Sequence, residues 1–208
     1  MGRTIINYYY EEGEQYCSPS QRSITRKLWV IPAVRKEDTF NLSLKAYSPW
    51  IFLLFGSIYD LKEFVIESHR INKKIFVHLD LIQGLGKDET GIKYLKEFFN
   101  VDGIITTKGN VIEWAKKEKL ITILRIFLLD SLAITTGIEL AKNYRPDYVE
   151  LLPGVIPKSI LYVREKLQKY NIPIITGGLI ESKEEVEKAI QSGAIGVSTS
   201  KTDLWSIL

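Results

Sequence analysis

The sequence predicts one α/β domain folded as a small TIM-type (β/α)8 barrel, with an N-terminal extension before it. Three observations lead there. Short apolar runs alternate with amphipathic segments from Leu28 to the end of the chain. The runs number eight. None is followed by the GxGxxG loop of a dinucleotide-binding open sheet, which is the architectural alternative. At about 180 residues the region is short for a barrel, which more often takes about 250.

The strand signals are "LWVIPAV", "WIFLLFG", "KIFVHLDL", "DGIITT", "ITILRIFLL", "YVELLPG", "PIITGG" and "IGVSTS". Near-continuous apolar runs of this length suit strands buried on both faces of a parallel sheet. The segments between them carry helical periodicity. In "EEVEKAI", Val186, Ala189 and Ile190 share one face and the charges take the other. The weakest helical signal is the first, over Glu37–Ala46. In "QGLGKDE" a glycine-rich loop ends at Asp88, an expected N-cap for the following helix.

Residues 1–27 differ in composition. Stacked tyrosines, three glutamates within the first 17 positions and "CSPSQRS" have neither helical nor strand period, and predict a flexible extension or a loosely docked arm. The barrel is then assigned to 28–208. There is one cysteine, Cys17, so no intramolecular disulfide can form. The N-terminus lacks a signal-peptide apolar region, and no apolar run reaches membrane-spanning length. A cytoplasmic protein with no membrane partner is the expectation. The formal charge of +3 is compatible with a polyanionic partner without requiring one.

In a (β/α)8 barrel, chemistry belongs at the C-terminal ends of the strands. Those ends carry Arg35, Gly56, His78 with Asp80, Thr106 to Lys108, Arg125 with Asp130, Glu150 with Gly154, Gly177 with Gly178, and Ser198 to Ser200. The last two groups point to a phosphate. Barrels commonly bind one with the loops after strands 7 and 8 and the start of a short helix. Glycines let backbone N–H groups approach the oxygens, and hydroxyls donate more bonds. The alternative is a plain turn at Gly177-Gly178 and a helix cap at Ser198–Ser200.

In "VHLDL", His78 and Asp80 alternate with Val77, Leu79 and Leu81, which would place both polar side chains on one strand face. Arg125 lies mid-strand among apolar residues, where a guanidinium needs a partner. Asp80, Glu150 and a ligand anion are the candidates. Lys108 begins a helix and is read as solvated or as reaching a second anionic group.

Several reactive centres are missing. No lysine sits inside a strand run, so a Schiff-base mechanism has no obvious nucleophile. The histidines are His69 and His78 alone, giving no metal cluster, and no Walker loop or GxSxG elbow is present. No catalytic residue, metal or cofactor is assigned, and the strand ends read as a binding pocket.

The segments "VHLDLIQGLGKDETG", "DGIITTKGNVI", "RIFLLDS", "DYVELLPGVIP", "TGGLI" and "STSKTDLW", in this order, resemble the glycerol-3-phosphate-responsive transcription antiterminators. Residues 1–27 have no counterpart in that pattern. The resemblance implies a barrel that binds glycerol 3-phosphate and, when loaded, acts on the leader mRNA of glycerol-utilisation operons to prevent early termination. Applied to the matching positions, Gly177, Gly178, Ser198, Thr199 and Ser200 would hold the phosphate. His78, Asp80, Arg125 and Glu150 would line the glycerol side, with Arg35, Lys108 and Gly154 as additional candidates.

No RRM, KH or zinc-knuckle signature supports RNA binding. Basic clusters occur at Arg22, Arg26 and Lys27, at Lys73 and Lys74, at Lys116, Lys117 and Lys119, and at Arg164, Lys166 and Lys169. They read first as solvated helix faces; aligned across a homo-oligomer they would track an RNA backbone. The tyrosine-rich arm offers a second RNA contact by stacking. The competing function is an isomerase or lyase acting on a small phosphorylated substrate, with Asp80 or Glu150 as general base.

Overall fold

The computed structural model describes residues 29–207, in which eight parallel strands close into a barrel in chain order. The extension predicted over 1–27 lies outside the described residues, as do Leu28 and Leu208. The strands are β1 (Trp29–Val34), β2 (Trp50–Leu53), β3 (Lys74–His78), β4 (Gly103–Thr106), β5 (Ile121–Phe127), β6 (Tyr148–Leu152), β7 (Ile174–Gly177) and β8 (Gly196–Thr199). The helices are α1 (Glu37–Leu44), α2 (Leu61–Arg70), α3 (Glu89–Tyr94), α4 (Gly109–Lys117), α5 (Ser131–Tyr144), α6 (Pro157–Leu167) and α7 (Lys183–Gln191). After β8 the chain makes one 3-10 turn, Thr202–Leu204, in place of an eighth helix.

Local chemistry sets the helix ends. The carboxylates of Asp88 and Asp130 accept from the N–H of Gly91 and Ala133, capping α3 and α5. Ser182 and Glu185 form a capping box at α7. Two backbone N–H groups there hold the Glu185 carboxyl below the usual carboxylate range, that of Glu181 first. Val186 and Ala189 on α7 are buried as their spacing requires. Helix α1 is shorter than the expected Glu37–Ala46. The N–H groups of Lys45 and Ala46 bond three residues back, to Leu42 and Ser43, and close the last turn.

The barrel has two cores. Outward-facing strand residues such as Leu53, Val77, Ile104, Leu124 and Val149 pack against the helices. Ile31, Trp50, Phe52, Phe76, Ile105, Ile123 and Ile175 fill the interior. Side chains alternate along a strand, so the next inward position after each of these lies two residues nearer the C-terminal end. On β3, β5 and β7 those positions are His78, Arg125 and Gly177. Glu150 and Ser198 follow Tyr148 and Gly196 in the same way on β6 and β8. The interior thus changes from apolar to polar just below the mouth, and that change positions the site.

Two expectations are corrected here. Asp80 does not share a strand face with His78, because β3 ends at His78 and Leu79–Leu81 form a 3-10 turn. The alternation in "VHLDL" is therefore not all strand. Lys73, grouped by sequence with solvated cations, is buried at the opposite end of the barrel, where its ammonium donates to the carbonyl oxygens of Ala46 and Ser48. Burial pulls its pKa below the usual lysine value. Lys74 does begin β3, but it is exposed at that strand's N-terminal end.

Candidate functional site

Strand register brings the first pair together. Arg125 and Glu150 are partners across β5 and β6. Arg125 Nε donates to Glu150 Oε2 at 2.8 Å, and Nη2 lies 2.8 Å from the same oxygen. Of the partners considered for Arg125, the protein uses Glu150. The other carboxylate oxygen, Oε1, accepts from Ser198 Oγ at 2.6 Å. Glu150 is fully buried and Arg125 nearly so. A buried carboxylate of this kind is tolerable only with its charge matched and its oxygens bonded, and both conditions are met.

The two glycines of "TGGLI" serve different ends. Gly177 faces Ser198 across β7 and β8, and a Cβ there would fall 2.0 Å from Ser198 Oγ. Its bareness makes room for the hydroxyl that reaches Glu150. Gly178 instead turns the chain with φ +73°, and Leu179 continues it at φ +59°. Two successive left-handed residues expose backbone N–H groups on a loop, a geometry suited to anions. Among the described residues, the N–H groups of Gly178, Leu179, Ile180 and Ser200 find no protein acceptor. Thr199 is committed to the loop itself: its hydroxyl donates to Ile180 O at 2.7 Å and accepts from the N–H of Lys201. Its carbonyl accepts from the Trp205 indole.

These elements surround a cavity of about 400 Å³ at the C-terminal mouth. Arg35, Arg125, Glu150, Gly178 and Ser198 to Ser200 line it, whereas Gly177, expected to hold the phosphate, does not. Lys201 also lines it and was missed, although it directly follows "STS". So do Phe127, Leu129 and Leu152, whose position at strand ends was the available signal. With Arg125 and Glu150 paired, the remaining rim charges are Arg35 and Lys201 against Glu181. Among the described residues neither Arg35 nor Lys201 ion-pairs with a carboxylate. The short helix expected to add its N-terminus is only the 3-10 turn Thr202–Leu204. Backbone donors and two cations, not a helix end, therefore supply the positive potential.

Gly154 lies behind this wall. Its N–H donates to Gly177 O at 2.6 Å, tying the loop after β6 to β7. His78, Asp80 and Lys108 sit apart, on the β3–β4 side of Arg125, and do not line the cavity. Asp80 Oδ1 is 3.6 Å from Lys108 Nζ and 3.8 Å from Lys87 Nζ, so this side forms its own charge cluster. His78 is buried, and its Nδ1 has no hydrogen-bond partner among the described residues. Burial, then the Arg125 charge, lowers its pKa to about 4, against an opposing pull from Asp80, so the ring is neutral at pH 7. Among the described residues no group of three His, Cys, Asp or Glu side chains could hold a metal, and no helix is long and apolar enough to cross a membrane.

Known proteins share the fold. The crystal structure of the glycerol uptake operon antiterminator regulatory protein of Listeria monocytogenes superposes with a TM-score of 0.80 at 37% identity, covering 90% of this chain and 97% of that one. A glycerol uptake operon antiterminator-related protein of Thermotoga maritima gives 0.73 at 32% identity, covering 86% and 99%. The uncharacterized protein YgcP of Escherichia coli K12 is 32% identical over 178 residues, 86% of this chain and 92% of that protein. Barrel enzymes also superpose, at identities that show the fold alone. The family described as glycerol-3-phosphate responsive antiterminator matches residues 30–205, and the chain belongs to that family.

Proposed function

We propose that this protein binds glycerol 3-phosphate at the barrel mouth and, in that state, acts on the leader mRNA of glycerol-utilisation operons to prevent early termination. One observation carries the ligand reading: four backbone N–H groups with no acceptor among the described residues and the cations Arg35 and Lys201 surround a cavity whose floor is the Arg125–Glu150 pair. The phosphate lies against Gly178–Ile180 and Ser200, with Arg35 and Lys201 matching its charge. The glycerol hydroxyls meet Glu150 and Arg125, which hold both acceptor and donor groups. His78, Asp80 and Lys108 form the flank beyond Arg125 and respond to the ligand through it.

The loops that carry these groups also give the ligand a lever. It can favour one conformation only by interacting better with that conformation than with another. The loop after β7 runs through two left-handed residues, and the segment after β8 ends in the turn that seats Trp205. Closing both on the phosphate couples occupancy to the surface around them.

Turnover by a carboxylate base is the competing reading. Both Glu150 oxygens already accept from Arg125 and Ser198, and Asp80 is flanked by two ammonium groups. Neither carboxylate is placed as an unengaged proton acceptor, which supports a site that binds without turnover.

Thermal unfolding with glycerol 3-phosphate, glycerol and inorganic phosphate tests the ligand. At 100 times its dissociation constant a ligand adds about 2.7 kcal/mol. A shift with glycerol 3-phosphate and little with glycerol is expected; no shift with any of the three would sink the reading.

A further inference from the structure

Away from the mouth, the C-terminal ends of α4, α5 and α6 form a second cationic surface, at the opposite end of the barrel. Three contacts join these ends. Lys116 Nζ donates to the carbonyl oxygens of Tyr144 and Arg145, linking α4 to α5. Arg145 Cζ lies 4.2 Å from the ring centroid of Tyr170, linking α5 to the turn after α6. Lys169 Nζ is 5.0 Å from the same ring, and Lys166 Nζ is 5.3 Å from the ring of Tyr162.

Among the described residues, Lys116, Arg145, Lys166 and Lys169 ion-pair with no carboxylate. Three of them sit over tyrosine rings, which fix a cation's position without neutralising its charge. Arg145 takes a left-handed conformation, φ 50°, at the end of α5, where glycine is the common choice. Basic residues near helix ends are ordinarily explained by the helix dipole. That explanation does not account for Arg145 reaching from the end of α5 to the Tyr170 ring, which Lys169 of the turn after α6 also approaches.

We infer that this face, built on Arg145, Lys166, Lys169, Tyr162 and Tyr170, is a docking surface for single-stranded RNA. Fixed, unneutralised cations pair with phosphates, and arginine and tyrosine planes stack with unpaired bases, a combination that binds single strands with little sequence preference. The inference rests on the leader-RNA reading above and adds where on the barrel the strand lies. It also separates the RNA surface from the ligand mouth, so that the two are coupled through the barrel and do not compete for one site.

The test uses the full chain and a fluorescein-labelled oligouridylate of about 12 nucleotides, with binding followed by anisotropy over a salt series. The variant is Arg145→Gly/Lys166→Gln/Lys169→Gln, in which glycine suits the left-handed position and keeps α5 closed. A control, Lys45→Gln/Lys62→Gln/Arg70→Gln, removes the same charge from α2 and the residue that ends α1. Losing three phosphate contacts lowers the slope of log K against log salt by about 2 and weakens low-salt binding by more than about tenfold. The control binds like the wild type, and all three proteins show the same thermal shift with glycerol 3-phosphate. Wild-type binding that persists in the first variant, or is lost equally in both, overturns this face and leaves the leader-RNA reading standing. Binding to phosphatidylserine vesicles that needs these residues, with RNA affinity unchanged, assigns the face to a membrane and overturns it as well. No wild-type binding to RNA, with or without glycerol 3-phosphate, removes both.

Discussion

Gly177 and Ser198 face each other across the last two strands, and the absent Cβ of one is the space that the hydroxyl of the other occupies: a methyl on Gly177 would lie 2.0 Å from Ser198 Oγ. Ser198 cannot turn away without breaking its 2.6 Å bond to Glu150, which in turn pairs with Arg125. A bare position on β7 therefore supports a hydrogen-bonded chain across three strands.

Gly177→Ala is expected to lower stability by about 1–3 kcal/mol through overpacking. In Gly177→Ala/Ser198→Ala the nearest clash is gone. The double variant should lose less than the sum of the singles by about 1 kcal/mol, because the two residues share one space. Urea denaturation of the four proteins checks this, and strict additivity would contradict it.

Glu150→Ala leaves a buried guanidinium without its carboxylate and should lower stability by about 3–5 kcal/mol. Arg125→Leu/Glu150→Leu removes both charges and is expected to be more stable than either single variant. It should nonetheless fail to bind glycerol 3-phosphate, since the polar floor is gone. Denaturation together with calorimetric titration of the ligand separates the two effects.

His78 ties stability to pH. Its pKa is about 4 in the folded protein against 6.5 for an unperturbed ring, so the unfolded chain binds more protons between those values. Its contribution is fully present above pH 6.5 and is lost as pH falls towards 4. A shift of this size corresponds to about 3 kcal/mol. His78→Gln should flatten the stability profile over that window while leaving its high-pH side in place, as read by denaturation at a series of pH values.

Lys201→Gln and Arg35→Gln each remove a rim cation that pairs with no carboxylate among the described residues. Each should weaken glycerol 3-phosphate binding by about tenfold, as expected for a charge-assisted bond. Since neither side chain pairs with a described carboxylate, protein stability should change little. Isothermal titration and a melting curve on the same samples measure both quantities.

The sequence by itself determined the architecture and the locations of the polar positions. Eight apolar runs separated by amphipathic segments call for a parallel sheet covered on both faces, and the lack of a GxGxxG loop after any run favours the closed barrel over an open sheet. Asp88 could be read as a cap because its bond is to the N–H of Gly91, three residues away. An arginine set mid-strand among apolar residues could be read as a buried charge needing a partner, with Glu150 among the candidates. Period-two alternation is a weaker guide. It misled at Asp80, because alternation does not reveal where a strand ends and a 3-10 turn begins.

Only the tertiary structure decided which groups meet. Arg125 and Glu150 are 25 residues apart, and Glu150 and Ser198 are 48 apart. Their contact depends on the register in which the barrel closes, and no local pattern encodes that register. The same closure buried Lys73 against two carbonyl oxygens, and it left four backbone N–H groups at the mouth without an acceptor among the described residues. Strand faces follow from spacing along the chain, whereas the partners of a buried charge follow from the alignment of distant strands.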